Sequence, residues 1–216
     1  MTPSATTPAR GRRAKRPTGD EREQAIRETL ETLLETKQFH EISIDDLARG
    51  AGLSRPTFYF YFESKEAVLL ALLDEIVRQA DAASDVAQTM LDKDPQRFLR
   101  DALAAYVTIL GAHRGVIVAG NQAGATSEDV RALWNVVRER WVEMGTRGIE
   151  AERARLGIEG ALSARELSIA LLNMNEGVMY SMFAGEEPAV PEDRVIEVIS
   201  SIWINAVYEG KQPPSA

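Results

Sequence analysis

Three helix-start signals follow one another within residues 43–64, and they constrain the fold more than any other feature of the chain. Ser43 begins the capping box SIDD. Ser54 stands two residues before Pro56, which is tolerated in the first turn of a helix because the N–H that proline lacks has no intrahelical partner there. Ser64 opens the stretch SKEAVLL. The sequence therefore predicts two short helices followed by a longer one.

A glycine-containing turn joins the two short helices. Gly50 and Gly52 end the first of them, whose apolar stripe is formed by Ile44, Leu47, Ala48 and Ala51. A capping box from Thr18 to Glu21 starts a longer helix before it, which is expected to run to about Lys37. The apolar face of that longer helix is formed by Ile26, Leu30, Leu33 and Leu34. Two short helices that follow a longer one across a tight turn are typical of a helix-turn-helix.

An unbroken aromatic run, FYFYF, fills the second short helix and holds five of the 14 Phe, Tyr and Trp residues of the chain. Alternating aromatic residues also fit a strand, but a lone strand between two helix caps has no partner. On a helix, Phe58 and Phe62 are four residues apart and are predicted to be buried together. Tyr59 and Phe60 are then predicted to face outward, with Tyr61 at the border.

The charge of the chain is unevenly distributed. The net charge is −8, yet the first 17 residues contain no acidic residue and five basic ones, namely Arg10, Arg12, Arg13, Lys15 and Arg16. This segment cannot bury enough apolar surface to fold alone. The sequence predicts a flexible basic arm with a local affinity for anions, attached to an acidic body. The alternative is a tail that only keeps the protein soluble.

The stretch EISIDDLARGAGLSRPTFYFYFESKEAVLLALL resembles the DNA-binding signature of TetR-type transcriptional regulators. The resemblance rests on the Asp-Leu-Ala helix, the Ala-Gly-Leu-Ser turn, the aromatic recognition helix and the Ser-Lys-Glu start of the next helix. It extends to the later segments LLNMNEG and AGEEPAVPEDRV, which are similar to one group of these regulators. The resemblance implies a homodimer that binds a double-stranded DNA operator and responds to a small hydrophobic ligand.

DNA contacts are expected at the helix starts and on the exposed side of the helix-turn-helix. The expected set is Ser43, Ser54, Arg55, Pro56, Thr57, Tyr59, Phe60, Tyr61 and Lys65, together with Arg12 and Arg13 of the arm. Hydroxyl and basic groups suit phosphates, while Arg55 and Thr57 are placed to reach base edges and Phe60 a thymine methyl. The arm arginines are expected in an adjacent minor groove. For Ser43 and Ser54, helix capping is expected whether or not DNA contact is added.

The remaining chain shows no strand pattern and no internal repeat, so the predicted fold is all-α with about nine helices. Helices are expected to start at Asp94-Pro95, at a capping box from Thr126 to Asp129, at Ser163 and at Pro191. The predicted domains are a flexible basic arm (1–17), a helix-turn-helix domain (18–63), a ligand-binding and dimerisation domain (64–208) and a flexible tail (209–216).

The last two predicted helices are apolar on two sides. In residues 163–183 one stripe contains Leu167, Leu171, Met174, Val178 and Met182, and a second contains Leu172, Met179 and Phe183. Residues 192–208 repeat the pattern with Val195, Val198, Ile199, Ile202 and Ala206. A helix that is apolar on two sides needs two partners. One side is expected to face the core and the other a second copy of the chain.

Aromatic residues on several predicted helices suggest a pocket. Trp134 and Trp141 share one helix face, and Asn175 places an amide on an apolar face. A solid core with one satisfied Asn is the competing interpretation. The resemblance implies a long apolar channel at the positions of Tyr106, Trp134, Trp141, Asn175, Tyr180 and Trp203. It also implies that the lining differs at Leu99, Leu110, Arg138, Gly145 and Leu172, so that the channel is wider and carries an added charge at the arginine.

Catalysis finds little support in the sequence. The two histidines, His40 and His113, show no metal-ligand spacing, and no nucleophile elbow or phosphate loop is present. The sequence contains no cysteine, and no stretch is long and apolar enough for a membrane helix. We therefore expect a cytoplasmic regulator with no metal or cofactor, most simply a ligand-released repressor. A ligand-independent DNA-binding protein and an activator on the same fold are the alternatives.

Overall fold

The computed structural model describes residues 18–88 and 95–208, without the side chains of 84–88, 95 and 96. In these ranges the chain forms nine α-helices: α1 (Gly19–Leu34), α2 (Ile44–Gly50), α3 (Arg55–Tyr61), α4 (Lys65–Gln88), α5 (Pro95–Ala112), α6 (Arg114–Ala123), α7 (Glu128–Leu156), α8 (Ala164–Ala184) and α9 (Val195–Tyr208). Short 3₁₀ turns at Phe39–Glu41 and Glu192–Arg194 complete the described part of the chain. The all-α prediction is confirmed.

All three serine caps of the helix-turn-helix form as predicted. The hydroxyl of Ser43 accepts the N–H of Asp46 at 3.1 Å, and Asp46 accepts the Ser43 N–H at 3.1 Å. Ser54 accepts the N–H of Thr57 at 3.3 Å, and Ser64 caps α4. Gly52 has φ +68° in the turn between α2 and α3, a backbone conformation that favours glycine.

The core of the α1–α3 unit is closed. Phe58 is fully buried and Phe62 is 9% exposed, as predicted, and they pack with Ile26, Leu30 and Leu47, which are also fully buried. Helix α1 is shorter than predicted, because it ends at Leu34 and a turn takes the chain to the 3₁₀ segment. The buried side chains of α1 stop at the same residue.

Helix α4 connects this unit to the rest of the molecule. It packs against α1 near its start and against α5, α6 and α7 over the remaining length. Helices α7 and α8 form an extensive pair, and α9 packs against α5, α7 and α8. The centre of this α5–α9 body is the region in which the pocket was predicted.

Two predicted helix starts in the body were wrong. The N-cap of α7 is Ser127, which accepts from Val130, and not Thr126. Helix α9 begins at Val195 and not at Pro191, because the intervening residues form a 3₁₀ turn. Each difference shifts a helix start by a few residues or less, which is the part of a helix that sequence periodicity defines least well.

The two predicted stripes of α8 are also divided differently. Leu167 and Leu171 are buried together with Met179 and Phe183. The other members of the predicted first stripe, Met174, Val178 and Met182, are only partly buried. The helix buries one broad face, and a helix that turns about 100° per residue allows either division on sequence grounds alone.

Within 18–88 and 95–208, no single helix is long and apolar enough to cross a membrane. Only α5 and α6 taken together reach the required length and composition, and these two are bent by 85° relative to each other.

Candidate functional site

The recognition helix α3 presents aromatic and polar side chains on the surface. Phe60 is 82% exposed and Tyr59 46% exposed, which is unusual for residues of this size. Ser43, Ser54, Arg55 and Pro56 are also exposed, while Thr57 and Tyr61 are partly buried. These residues come from the starts of α2 and α3 and from the outer side of α3. The structure therefore brings the predicted DNA contacts of residues 43–61 to one surface.

Arg55 is held in place by its neighbours. Its guanidinium donates to Asp45 of α2 at 3.2 Å and to the hydroxyl of Tyr59 at 3.4 Å. The guanidinium also lies 5.9 Å from the centre of the Tyr59 ring. Since both partners are about half exposed, a base or phosphate can replace Asp45 at modest cost.

Lys65, a predicted DNA contact, also makes contacts within the chain. Its ammonium donates to the carbonyl oxygens of Phe39 and Ile42 at 2.9 Å and of His40 at 3.4 Å. The same group lies 4.7 Å from the centre of the Phe39 ring. An ammonium has three donors, and all three have acceptors here. Lys65 thus ties the start of α4 to the segment between α1 and α2.

A second tie joins the α1–α3 unit to the body. Nδ1 of His113, at the junction of α5 and α6, contacts a carboxylate oxygen of Glu31 on α1. A Cβ atom at Gly115 would lie only 2.8 Å from the carbonyl oxygen of Leu34, so glycine allows α6 to approach the end of α1. The unit is therefore held at two places, through α4 and through α6.

The first described residues of the chain lie beside the recognition helix. Arg12 and Arg13 lie outside the described residues, but the chain enters the structure at Thr18, directly before α1. A Cβ at Gly19 would be 4.0 Å from the hydroxyl of Tyr61 in α3. Residues 18–63 contain five basic and ten acidic side chains, a net charge of −5, whereas residues 1–17 contain five basic side chains and no acidic one.

A cavity of about 160 Å³ lies within the body. Helices α5, α7, α8 and α9 contribute its walls, which are almost entirely apolar. Seven of the predicted ligand contacts line it, namely Leu99, Tyr106, Trp141, Gly145, Leu172, Asn175 and Trp203. The solid-core interpretation of these residues is therefore wrong.

The other predicted contacts line a separate, smaller cavity of about 20 Å³, namely Leu110, Trp134, Arg138 and Tyr180. Tyr106 lines both cavities and packs edge-to-face on Trp141 with ring centres 4.8 Å apart, so it stands at their boundary. Burial raises the pKa of its hydroxyl well above the usual value. The predicted single channel is thus two spaces with Tyr106 between them.

Arg138 does not add an unbalanced charge to the smaller cavity. Its Nε donates to both carboxylate oxygens of Glu176 at 2.8 and 2.9 Å, and its guanidinium lies 5.9 Å from the centre of the Trp134 ring. The pair joins α7 to α8. The expectation of an added charge in the lining is corrected to a neutral ion pair.

Two polar groups face the large cavity. The amide oxygen of Asn175 accepts from the indole N–H of Trp203 at 3.1 Å, and among the described residues no acceptor takes the amide N–H₂. Glu152 accepts from the Tyr208 hydroxyl at 2.5 Å and from Arg155 at two positions of 2.7 Å. The guanidinium of Arg155, followed by the Tyr208 hydroxyl, holds the pKa of Glu152 below its usual value, so this carboxyl is ionised at neutral pH.

The cavity wall is bonded directly to α4. The indole N–H of Trp141 donates to Asp81 at 3.3 Å, and Arg140 pairs with the other oxygen of the same carboxylate at 2.8 Å. Asp81 lies on the helix whose start is held by Lys65. A contact with Trp141 inside the cavity can therefore be transmitted to the DNA-side unit along one helix.

Sequence reasoning missed part of the lining. The large cavity is also lined by Phe98, Ala102, Leu103, Met144, Gly148, Ile149, Glu152, Ile204, Val207 and Tyr208. Gly148 was detectable in principle, because it continues the spacing of Trp141 and Gly145 along one face of α7. In the described parts of the chain, no three His, Asp or Glu side chains are grouped so that they could hold a metal ion.

A helix-turn-helix unit joined by a long helix to an all-α body with an internal cavity defines a class of DNA-binding transcriptional regulators. Two family models match the chain: residues 26–72 match "Bacterial regulatory proteins, tetR family", and residues 99–209 match "Transcriptional regulator EthR, C-terminal domain". The HTH-type transcriptional regulator EthR of Mycobacterium tuberculosis is 47% identical over 212 residues, which cover 96% of this chain and 98% of the relative. The chain belongs to the TetR family of bacterial transcriptional regulators, in the group of EthR.

Solved structures of low sequence identity share the fold. A putative TetR-family regulator from Syntrophomonas wolfei aligns with a TM-score of 0.71 at 18% identity, over 88% of this chain and 96% of its own. The Thermus thermophilus repressor FadR, solved with lauroyl-CoA, aligns with a TM-score of 0.59 at 17% identity, over 90% of this chain and 97% of its own. These likenesses extend across both the helix-turn-helix unit and the body.

Proposed function

We propose that the protein is a one-component repressor that binds a near-palindromic DNA operator as a homodimer and is released by a small apolar ligand in the large cavity. It acts in the cytoplasm, where its operator is located. The hydrogen bond between Trp141 and Asp81 is the observation that carries the proposal, because it connects a cavity wall to the helix that bears the DNA-side unit.

DNA binding is supported by the exposed surface of α3. Within residues 18–88 and 95–208 nothing covers most of Phe60, and a large apolar side chain in water favours a partner surface such as a thymine methyl. Arg55 reaches past the start of α3 and is held by exposed partners that DNA can replace. The net charge of −5 on residues 18–63 requires compensation, which the arm provides.

Dimerisation is supported by the outer faces of α8 and α9. Ile169 is 38% exposed and Ile202 41% exposed, and the neighbouring Ala170, Gly177 and Ser201 are small and exposed. Small side chains allow two helix pairs to approach closely and form a four-helix interface. A two-fold dimer places two recognition helices about 34–36 Å apart, which matches successive major grooves on one side of DNA.

Ligand release follows from differential binding. A ligand lowers operator affinity only if it binds more tightly to the conformation that does not fit DNA. A molecule that fills the large cavity presses on Trp141, and Asp81 transmits the displacement to α4. Because Lys65 and the Glu31–His113 contact hold the α1–α3 unit at two places, the unit turns as a whole when α4 moves relative to α6.

The test is a calorimetric titration of the full-length protein with N-hexylbenzamide, an apolar probe with one carbonyl for the Asn175 amide. The titration is made with and without saturating operator DNA, which is obtained by sequencing fragments that the protein retains. The coupling predicts that operator weakens probe binding by about 5- to 150-fold, and that the probe weakens operator binding by the same factor. Equal probe affinity under both conditions would leave a DNA-binding protein that does not respond to this cavity. An operator upstream of the promoter elements, with transcription raised by the protein, would instead favour an activator.

A further inference from the structure

One wall residue of the large cavity is chemically unlike the others. Glu152 lines the cavity and is only 8% exposed, and among the described lining residues it is the one with an ionised side chain. A buried carboxylate is costly to desolvate and needs partners. Tyr208 and Arg155 supply them from α9 and from the next turn of α7. Glu152 is therefore an ionised hydrogen-bond acceptor at the edge of an apolar cavity.

The carboxylate of Glu152 retains capacity to accept a hydrogen bond. An ionised carboxylate offers about four acceptor positions. Oε1 accepts from Tyr208 and from Nη2 of Arg155, while Oε2 accepts from Nε of Arg155. Arg155 balances the negative charge, so the remaining position on Oε2 suits a neutral donor better than a cation. An anion is repelled by the carboxylate.

The distance between Glu152 and Asn175 determines how long a ligand must be to reach both residues. Trp141, Gly145, Gly148 and Glu152 recur on one face of α7, so the cavity follows this helix for three turns. A Cβ at Gly145 would be 3.5 Å from the ring of Trp203, which bonds Asn175. Seven residues separate Gly145 from Glu152, a distance of about 10 Å along an α-helix.

We propose that Glu152 forms a second polar subsite, which accepts a hydrogen bond from a hydroxyl or amide N–H at the end of the ligand. The natural ligand then carries an acceptor for the Asn175 amide, an apolar segment of about 10 Å and a neutral donor at the opposite end. This inference rests on the proposed function, since it concerns the ligand of the same cavity. It narrows the ligand class from apolar molecules in general to elongated molecules with two polar ends.

The test uses three probes with one body: a benzamide whose six-carbon N-alkyl chain ends in a hydroxyl, its methyl ether, and the corresponding carboxylate. All three share the amide N–H, but at the end of the chain the ether oxygen only accepts hydrogen bonds, whereas the hydroxyl also donates one. Calorimetry on the full-length protein is expected to show that the hydroxyl compound binds about tenfold more tightly than the ether, with the carboxylate weakest. Equal affinity of the hydroxyl compound and the ether overturns the subsite.

Two variants separate a binding role from a structural one. Glu152→Gln loses the charge and gains an N–H donor, so the hydroxyl preference is expected to shrink and the carboxylate to bind more tightly than to the original protein. Tyr208→Phe keeps the carboxylate and frees an acceptor position, so it is expected to widen the hydroxyl preference. Unchanged affinity ratios between the three probes in both variants exclude Glu152 as a ligand contact.

A matched control distinguishes this proposal from the proposed function. Asn175→Leu removes the partner of the carbonyl that all three probes share, and it is expected to weaken all three by the same factor without changing their order. If N-hexylbenzamide binds and is coupled to operator while the hydroxyl compound and the ether bind equally, only the Glu152 subsite fails. If neither N-hexylbenzamide nor any of the three probes binds, the ligand site itself fails.

Discussion

Two parts of α4 meet interiors of opposite character. Around its start, Phe58, Ile26 and Leu47 are fully buried, and hydroxyl caps satisfy the short helices. Further along the helix, Asp81 bonds Trp141, which together with Trp203 lines an apolar cavity of about 160 Å³. A close-packed interior transmits displacement, whereas a cavity can change its volume at lower cost. The comparison indicates that the α1–α3 unit moves as a rigid piece and that the ligand-dependent change originates in the cavity.

Removing the buried ring of Phe58 tests whether the core of the α1–α3 unit is close-packed. Phe58→Ala is expected to lower the free energy of unfolding by about 3–5 kcal/mol, because it deletes a fully buried ring from a core with no room to collapse. Denaturant unfolding measures this loss. Phe60→Ala is the matched control, since the ring two residues away is 82% exposed. It is expected to change stability by less than about 0.5 kcal/mol and to weaken operator binding. Similar losses for both variants would contradict the closed-core description.

Filling the large cavity tests whether the change in operator affinity originates there. A Cβ at Gly148 meets no atom within 4 Å, whereas one at Gly145 would lie 2.4 Å from the Ser168 hydroxyl. Gly148→Trp is therefore expected to occupy the cavity, imitate a ligand and lower operator affinity by about 5- to 150-fold in a folded protein. A mobility-shift titration measures the change. Gly148→Ala, which leaves most of the space open, is expected to bind operator normally, and a loss in this control would show that the helix itself was damaged.

Deleting residues 1–17 tests whether the closed unit binds DNA by itself. Its net charge of −5 argues that it does not bind well. Loss of two phosphate contacts corresponds to a change of about 1.8 in the slope of log K against log salt, and to a roughly 30-fold loss of affinity at about 0.15 M salt. Binding measured over a salt series gives both values. An unchanged slope would make the arm a solubilising tail only.

Cutting the link between the two regions gives the smallest expected effect. Asp81→Leu removes the acceptor of the Trp141 N–H and is expected to reduce the coupling between probe and operator by about threefold, within the range seen for residues between coupled sites. Asp81→Asn keeps an acceptor for the indole while losing the Arg140 ion pair, so its coupling should stay close to that of the original protein. Calorimetry with and without operator measures both variants. Full coupling in Asp81→Leu would place the transmission elsewhere, for example at the contact of α1 with α6.

The difference between the regions also explains what could be predicted. Ser43 and Ser54 cap helices through partners three residues away, so the signal is local and the sequence contains all of it. The burial of Asn175 on an apolar face was predicted for the same reason, from helix periodicity. The two serine caps predict the helix-turn-helix from local sequence alone, without knowledge of any tertiary contact.

The cavity could be predicted only in outline, because its walls depend on how four helices cross. Glu152 was missed since its neighbours Glu150 and Arg153 make this part of α7 look like a solvated face. The ion pair of Arg138 with Glu176 joins residues 38 positions apart, so no local sequence pattern predicts it. Lys65 stays a predicted DNA contact, but the three carbonyl groups that accept from it lie 23 to 26 positions away along the chain, so no local pattern shows these contacts.

All three tryptophans of the chain line the cavities, Trp141 and Trp203 the large one and Trp134 the small one. Their indole N–H groups differ: Trp141 donates to a carboxylate, Trp203 to an amide, and that of Trp134 is buried and has no partner among the described residues. Tryptophan emission from this protein therefore originates entirely at the two cavities, with no surface indole to dilute it. The wavelength and intensity of this emission therefore report which of the two cavities a compound enters, without any dye or label.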